Sequence, residues 1–124
     1  MRILIVSPFA RDAARGNSVA ASRLARGLTA RGHAVALVDA VAGSASPDAL
    51  ARALAAAGPA DVALVFHADH GAPAAEILRR TGTPYVVSLR GTDANELLAD
   101  STRGPVILAA LAGAARIAVF HEAM

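Results

Sequence analysis

Five short apolar runs recur along this chain, at Ile3 to Val6, Val35 to Val38, Val62 to Phe66, Tyr85 to Leu89 and Ile117 to Phe120, with alanine-rich segments between them. Each is four or five residues long and rich in β-branched side chains. A run that is apolar throughout, rather than alternating, suits a strand buried on both faces, and such strands belong to parallel sheets. The segments between the runs carry apolar stripes at helical spacing: Ala20, Leu24 and Leu28; Leu50, Leu54 and Ala57; Ala74, Ile77, Leu78 and Thr81; Ile107, Ala110, Leu111 and Ala114. Strand alternating with helix predicts an α/β fold with a right-handed, doubly wound parallel sheet of about five strands.

The punctuation agrees with that pattern. Gly32, Gly58 and Gly82 each follow a helical stripe and precede a strand, where a left-handed helix-ending residue belongs. Ser46-Pro47-Asp48 supplies an N-cap, a proline at the first helical position and an early acid. A chain of 124 residues accommodates one domain, expected over residues 1–124, with room for one core. Much of its 55% apolar content is alanine, which favours helix and contributes little buried area.

Composition removes several function classes. There is no cysteine, so disulfides, thiolate metal sites and cysteine nucleophiles are excluded. All twelve basic residues are arginine, and the net charge is only +2. The arginines are scattered without interleaved aromatics, so no nucleic-acid partner is expected. The first apolar run is too short for a signal-peptide core, and no segment approaches a membrane span, which leaves a cytoplasmic location as the expectation. Without G-x-G-x-x-G or any lysine, neither a dinucleotide fingerprint nor a P-loop is present, and no cofactor is expected.

In a parallel α/β sheet the ligand crevice opens at the carboxyl ends of the strands. Three polar clusters fall there: Arg15-Gly16-Asn17 after the first run, His67-Ala68-Asp69-His70 after the third, and Arg90-Gly91-Thr92-Asp93 after the fourth. Gly16 allows close backbone approach, and the helix start beside Asn17 offers N–H groups to an anion or a sugar oxygen. His67 and His70 can bind hydroxyls or exchange protons near neutral pH. Arg90, directly after a buried strand, needs solvent, a carboxylate or an anionic ligand. Against these stand plainer readings: a cap by Asn17 or Ser18, solvated loop histidines, and a capping box formed by Asp93 and Glu96. A small metal-dependent hydrolase using His67, His70 and Asp93 is one rival, with zinc as the sharper ligand reading, but H-x-x-H alone is a weak metal signal and no metal is assigned.

The order of these segments resembles the N-terminal half of family 4 glycosyltransferases. The resemblance rests on the glycine-bearing first loop, Arg31-Gly32-His33-Ala34-Val35, Ala60-Asp61-Val62, the histidine after the third strand, Gly91-Thr92-Asp93, Ala115-Arg116-Ile117-Ala118-Val119 and Glu122-Ala123-Met124. It implies a Rossmann-like domain forming one half of a GT-B architecture, the half that mainly binds the acceptor, in an enzyme that retains anomeric configuration. It also implies a sugar acceptor and a nucleotide-sugar donor as partners. The donor-binding half has no counterpart in the chain, so catalysis by this segment alone is not expected, and a non-catalytic module needing a partner donor domain is the rival. By resemblance, the Gly16 loop, His67 and the Gly91-Thr92-Asp93 turn line the cleft between two domains. Within that reading His67 and Asp93 are assigned to orienting hydroxyls or assisting proton transfer, and Arg15, Gly16, Asn17, His70, Arg90, Gly91 and Thr92 to binding substrate. Arg90 stands where many members carry histidine. Gly16-Asn17 with Ala21 and Arg23, Phe66-His67-Ala68 and Gly91-Thr92-Asp93 are also similar to the selenosugar synthase branch of the superfamily. After Phe120, the segment His121 to Met124 would begin a helix, and a homodimer or partner domain is expected to cover the exposed last strand.

Overall fold

The computed structural model describes residues 1–10, 16–40 and 46–119. Its elements run β1 (Arg2–Ser7), α1 (Gly16–Ala30), β2 (Ala34–Asp39), α2 (Pro47–Ala56), β3 (Val62–Phe66), α3 (Ala72–Thr81) and β4 (Tyr85–Ser88). There follow α4 (Thr92–Asn95), a 3-10 turn (Leu97–Ala99), α5 (Arg103–Ala112) and β5 (Arg116–Ala118). The strands form one all-parallel sheet in the order β2-β1-β3-β4-β5, the α/β arrangement that the alternating apolar runs predict. In register, Ile5 lies beside both Leu37 and Leu64, and Val87 beside both Val65 and Ile117.

Side-chain alternation along the strands divides the interior into two cores. Leu4, Val6, Ala63, Val65, Tyr85 and Val87 face one way and pack under α2, α3 and α5 with Leu50, Leu54, Leu78 and Ile107. Ile3, Ile5 and Phe66 face the other way, where Ala21, Leu24 and Leu28 of α1 cover them. Helices on both faces are what doubly wound means, and they explain why the strand runs are apolar at consecutive positions. Tyr85 adds a polar fastening: its hydroxyl donates to the Ala110 carbonyl at 2.7 Å, tying β4 to α5.

The helix ends form as the sequence predicts. Ser46 Oγ accepts from the Ala49 N–H at 3.1 Å, capping α2. Gly82 ends α3 at φ +74°, and the Gly82 and Thr83 N–H groups return to the Arg79 and Leu78 carbonyls. Ile117 in β5 and Val119 just after it are about half exposed, at 48% and 51%. Phe120 and the segment His121 to Met124 lie outside the described residues. Among the described residues, no helix is long and apolar enough to cross a membrane.

The chain leaves β1 for β2 on one side and returns to place β3 on the other. Connections to either side of β1 therefore diverge above its carboxyl end, and a crevice opens there.

Candidate functional site

The crevice is a cleft of about 450 Å³ lined by Phe9, Gly16, Asn17, His67, His70, Arg90, Thr92 and Leu97. The loops after β1, β3 and β4 all contribute, so six of the residues picked out by sequence share one site. Gly91 and Asp93 do not line it, and Arg15 lies outside the described residues.

His67 follows β3 directly and adopts φ +71°, a left-handed conformation that costs a non-glycine residue energy. Its N–H donates to the Ser88 carbonyl at 3.0 Å, and its carbonyl accepts from the Gly71 N–H at 2.7 Å. Gly71 is required there, because a Cβ would come within 2.3 Å of Val65 Cγ1 and 2.6 Å of the His67 carbonyl oxygen. The His70 N–H donates to His67 Nδ1 at 3.2 Å, which places the neutral ring's proton on Nε2. Burial lowers the His67 pKa below its ordinary value. The positive fields of His70 and Arg90 act in the same direction, and Asp93 and Asp69 oppose them. The ring is thus a neutral imidazole at pH 7, with Nε2 as the nitrogen available to a ligand. The His70 ring lies 4.6 Å from that of His67 and meets Phe9 edge-on at 5.8 Å.

Arg90 leaves the end of β4 half-buried. Its Nε donates to Asn17 Oδ1 at 2.9 Å, and its guanidinium carbon lies 5.0 Å from the centre of the Phe66 ring. Burial lowers its pKa and Asp93 works against that shift, but the group stays charged. Asn17, read above as a cap or a ligand group, uses its amide oxygen to brace Arg90 across 73 residues of sequence. Arg90 is therefore held at the wall of the cleft rather than swung into solvent.

The structure gives Asp93 a different task from the acid–base or orienting role inferred by resemblance. It is fully buried, and its carboxylate accepts from four backbone N–H groups: Ala68 at 2.7 Å, Arg90 at 2.9 Å, and Gly91 and Ala94 at 3.1 Å each. Nor is it the N-cap of a capping box with Glu96. Gly91, at φ +117°, precedes α4, and Asp93 is the second helical residue. From there its side chain reaches back under the loop and sideways to the turn after β3. Asp93 joins the two histidine- and arginine-bearing loops from below.

Four further contributions were not assigned from sequence, although Asp69 stood in the histidine cluster. Phe9 at φ +54° and Leu97 complete the apolar rim, Phe66 underlies Arg90, and Asp69 binds Arg103. The Pro8-Phe9 pair after β1 was the one available signal. Nothing in spacing links Asp69 to Arg103.

None of the described residues lining the cleft is acidic, while one arginine and two imidazoles are present. Such a wall suits a ligand with hydroxyls or negative charge. The arrangement of His67, His70 and Asp93 that would bind zinc is not assembled: Asp93 faces backbone amides, and no three His, Asp or Glu side chains among the described residues are grouped to hold a metal ion. Compared with known protein families and with curated proteins, the chain matches none. The functional reading therefore stands on the geometry of the cleft and on the order of motifs.

Proposed function

We propose that this chain is the acceptor-side, Rossmann-like domain of a nucleotide-sugar-dependent glycosyltransferase of the family 4 kind, forming one half of a GT-B enzyme that retains anomeric configuration. One observation carries the reading. Loops after β1, β3 and β4 meet at the point where strand order reverses, and they present a strained, neutral histidine and a braced arginine to one open cleft. His67 Nε2 holds an acceptor hydroxyl, Arg90 meets negative charge on the ligand, and the first-turn N–H groups of α1 at Gly16 and Asn17 receive a further oxygen. Asp93 keeps His67 and Arg90 in place without touching substrate.

Binding is tested by following the His67 imidazole and the Arg90 Nε–H by NMR while hydroxylated and phosphorylated sugar acceptors are added, with UDP-, GDP- and ADP-hexoses tried in parallel. An acceptor that moves both signals supports the reading, provided that His67→Ala and Arg90→Ala each weaken binding by roughly tenfold or more. Failure of every acceptor overturns it, and so does a stoichiometric divalent metal on His67. Transfer is then assayed with a donor-binding domain supplied in trans. Acceptor binding at the cleft without transfer favours the non-catalytic module.

A further inference from the structure

The turn that carries His67 has a second fastening, on the side away from the cleft. Asp69, between the two histidines, is 93% removed from solvent by its 7% exposure, and its Oδ1 accepts from Arg103 Nε at 2.7 Å and also from the Arg103 terminal nitrogen. A carboxylate that deep is costly without a partner, and a two-nitrogen arginine contact fixes orientation as well as charge. Arg103 is itself anchored. It opens α5, its N–H and that of Thr102 donate to Asp100 Oδ1 at 2.7 and 2.8 Å, and Gly104 sits against the Leu98 carbonyl with no room for a Cβ, which would come within 2.5 Å.

The 67–71 turn is thus held from two directions. Asp93 grips the Ala68 N–H from β4's side, and Arg103 grips Asp69 from α5. Strained backbone persists only where its surroundings over-determine it. The bonds of the His67 N–H to the Ser88 carbonyl and of the Gly71 N–H to the His67 carbonyl fix the ends of the turn, and Asp93 fixes Ala68. The grip of Arg103 on Asp69 falls between these points, directly beside His70, whose N–H occupies His67 Nδ1. We propose that Arg103 is a positioning residue for His67: through Asp69 it holds the turn in the conformation that keeps Nδ1 occupied and Nε2 at the cleft. This rests on the reading of His67 as the cleft's ligand-facing group, but not on the reaction.

The test reads the state of His67 without substrate, so its outcome is separate from that of any transfer assay. Imidazole ¹⁵N spectra over a pH series give the tautomer and the titration midpoint in the parent chain, in Arg103→Ala and in Arg103→Lys. The charged groups around His67 are Asp93 from α4, Arg90 from the end of β4, and Asp69 and His70 from its own turn. Only the pairing of Asp69 changes in these variants. In Arg103→Ala the released Asp69 carboxylate and a loosened turn both favour the imidazolium, so the midpoint rises and the Nδ1–H tautomer appears. Arg103→Lys, which keeps charge but not the two-nitrogen contact, falls between. Unchanged midpoint and tautomer in Arg103→Ala, with lowered melting temperature alone, make Arg103 a stability brace and overturn the proposal. If Arg103→Ala does not fold, the same comparison is made on Arg103→Lys, where an unshifted His67 overturns it equally.

Discussion

Gly82 and His67 have nearly the same backbone angle, φ +74° and φ +71°, at opposite edges of the sheet. At the amino edge the left-handed positions are Gly32, Gly58 and Gly82, which adopt them without steric penalty. At the carboxyl edge Gly91 is joined by two residues that are not glycine, Phe9 and His67, and it is these two that line the cleft. The same backbone geometry is relaxed where it only turns the chain and strained where it presents a side chain. That contrast separates folding turns from site turns more sharply than polarity does, since both edges are polar.

The strongest challenge to this contrast is removal of the clamp that holds the strained edge. Asp93→Ala leaves the buried N–H of Ala68 and the half-buried N–H of Arg90 without an acceptor, and should lower unfolding free energy by about 3 kcal/mol or more in urea denaturation. A loss below about 1 kcal/mol would mean that the loops at this edge hold themselves. Next comes the matched pair. Gly82→Ala places a Cβ in open space, so its cost of about 1 kcal/mol is backbone strain alone. His67→Asn, a residue that tolerates the left-handed region, should change stability by less than about 1 kcal/mol while weakening binding of the proposed acceptor roughly tenfold. Equal stability losses at both positions would erase the distinction between the edges.

The smallest effect is the pH dependence of His67. Because burial lowers its pKa in the folded chain, the unfolded chain holds more protons at pH values between the lowered native value and the ordinary histidine value near 6.5. Stability contributed by the neutral ring is therefore present above that ordinary value and declines as pH falls through the window. Urea midpoints measured at pH 7.5 and 5.5 should show the decline in the parent and a flatter response in His67→Asn. An identical response in both would place the titrating group elsewhere.

The elements were legible because their signals are local. Four of the five β-branched runs both begin and end within a residue of their strands, and the glycines at 32, 58 and 82 take the positive φ assigned to them. The cleft was partly legible for a topological reason: once the strands are parallel, polar clusters after β1, β3 and β4 must share an edge. Asp93 was harder. Its sequence context fits a capping box equally well, and only the approach of the β3 turn, 25 residues away, gives its carboxylate the Ala68 N–H. Arg103 could not be found at all from its neighbours, since its partner Asp69 lies 34 residues back.

By itself, then, the order of apolar runs, stripes and glycines determined a parallel α/β sheet and the edge at which polar residues gather, because hydrophobic periodicity and left-handed glycines act over a few residues. Which of those polar residues faces the cleft, and which is turned inward to hold another, was decided only by tertiary structure. A buried carboxylate goes wherever unpaired N–H groups or a guanidinium wait for it, and those groups are brought together by packing of distant segments.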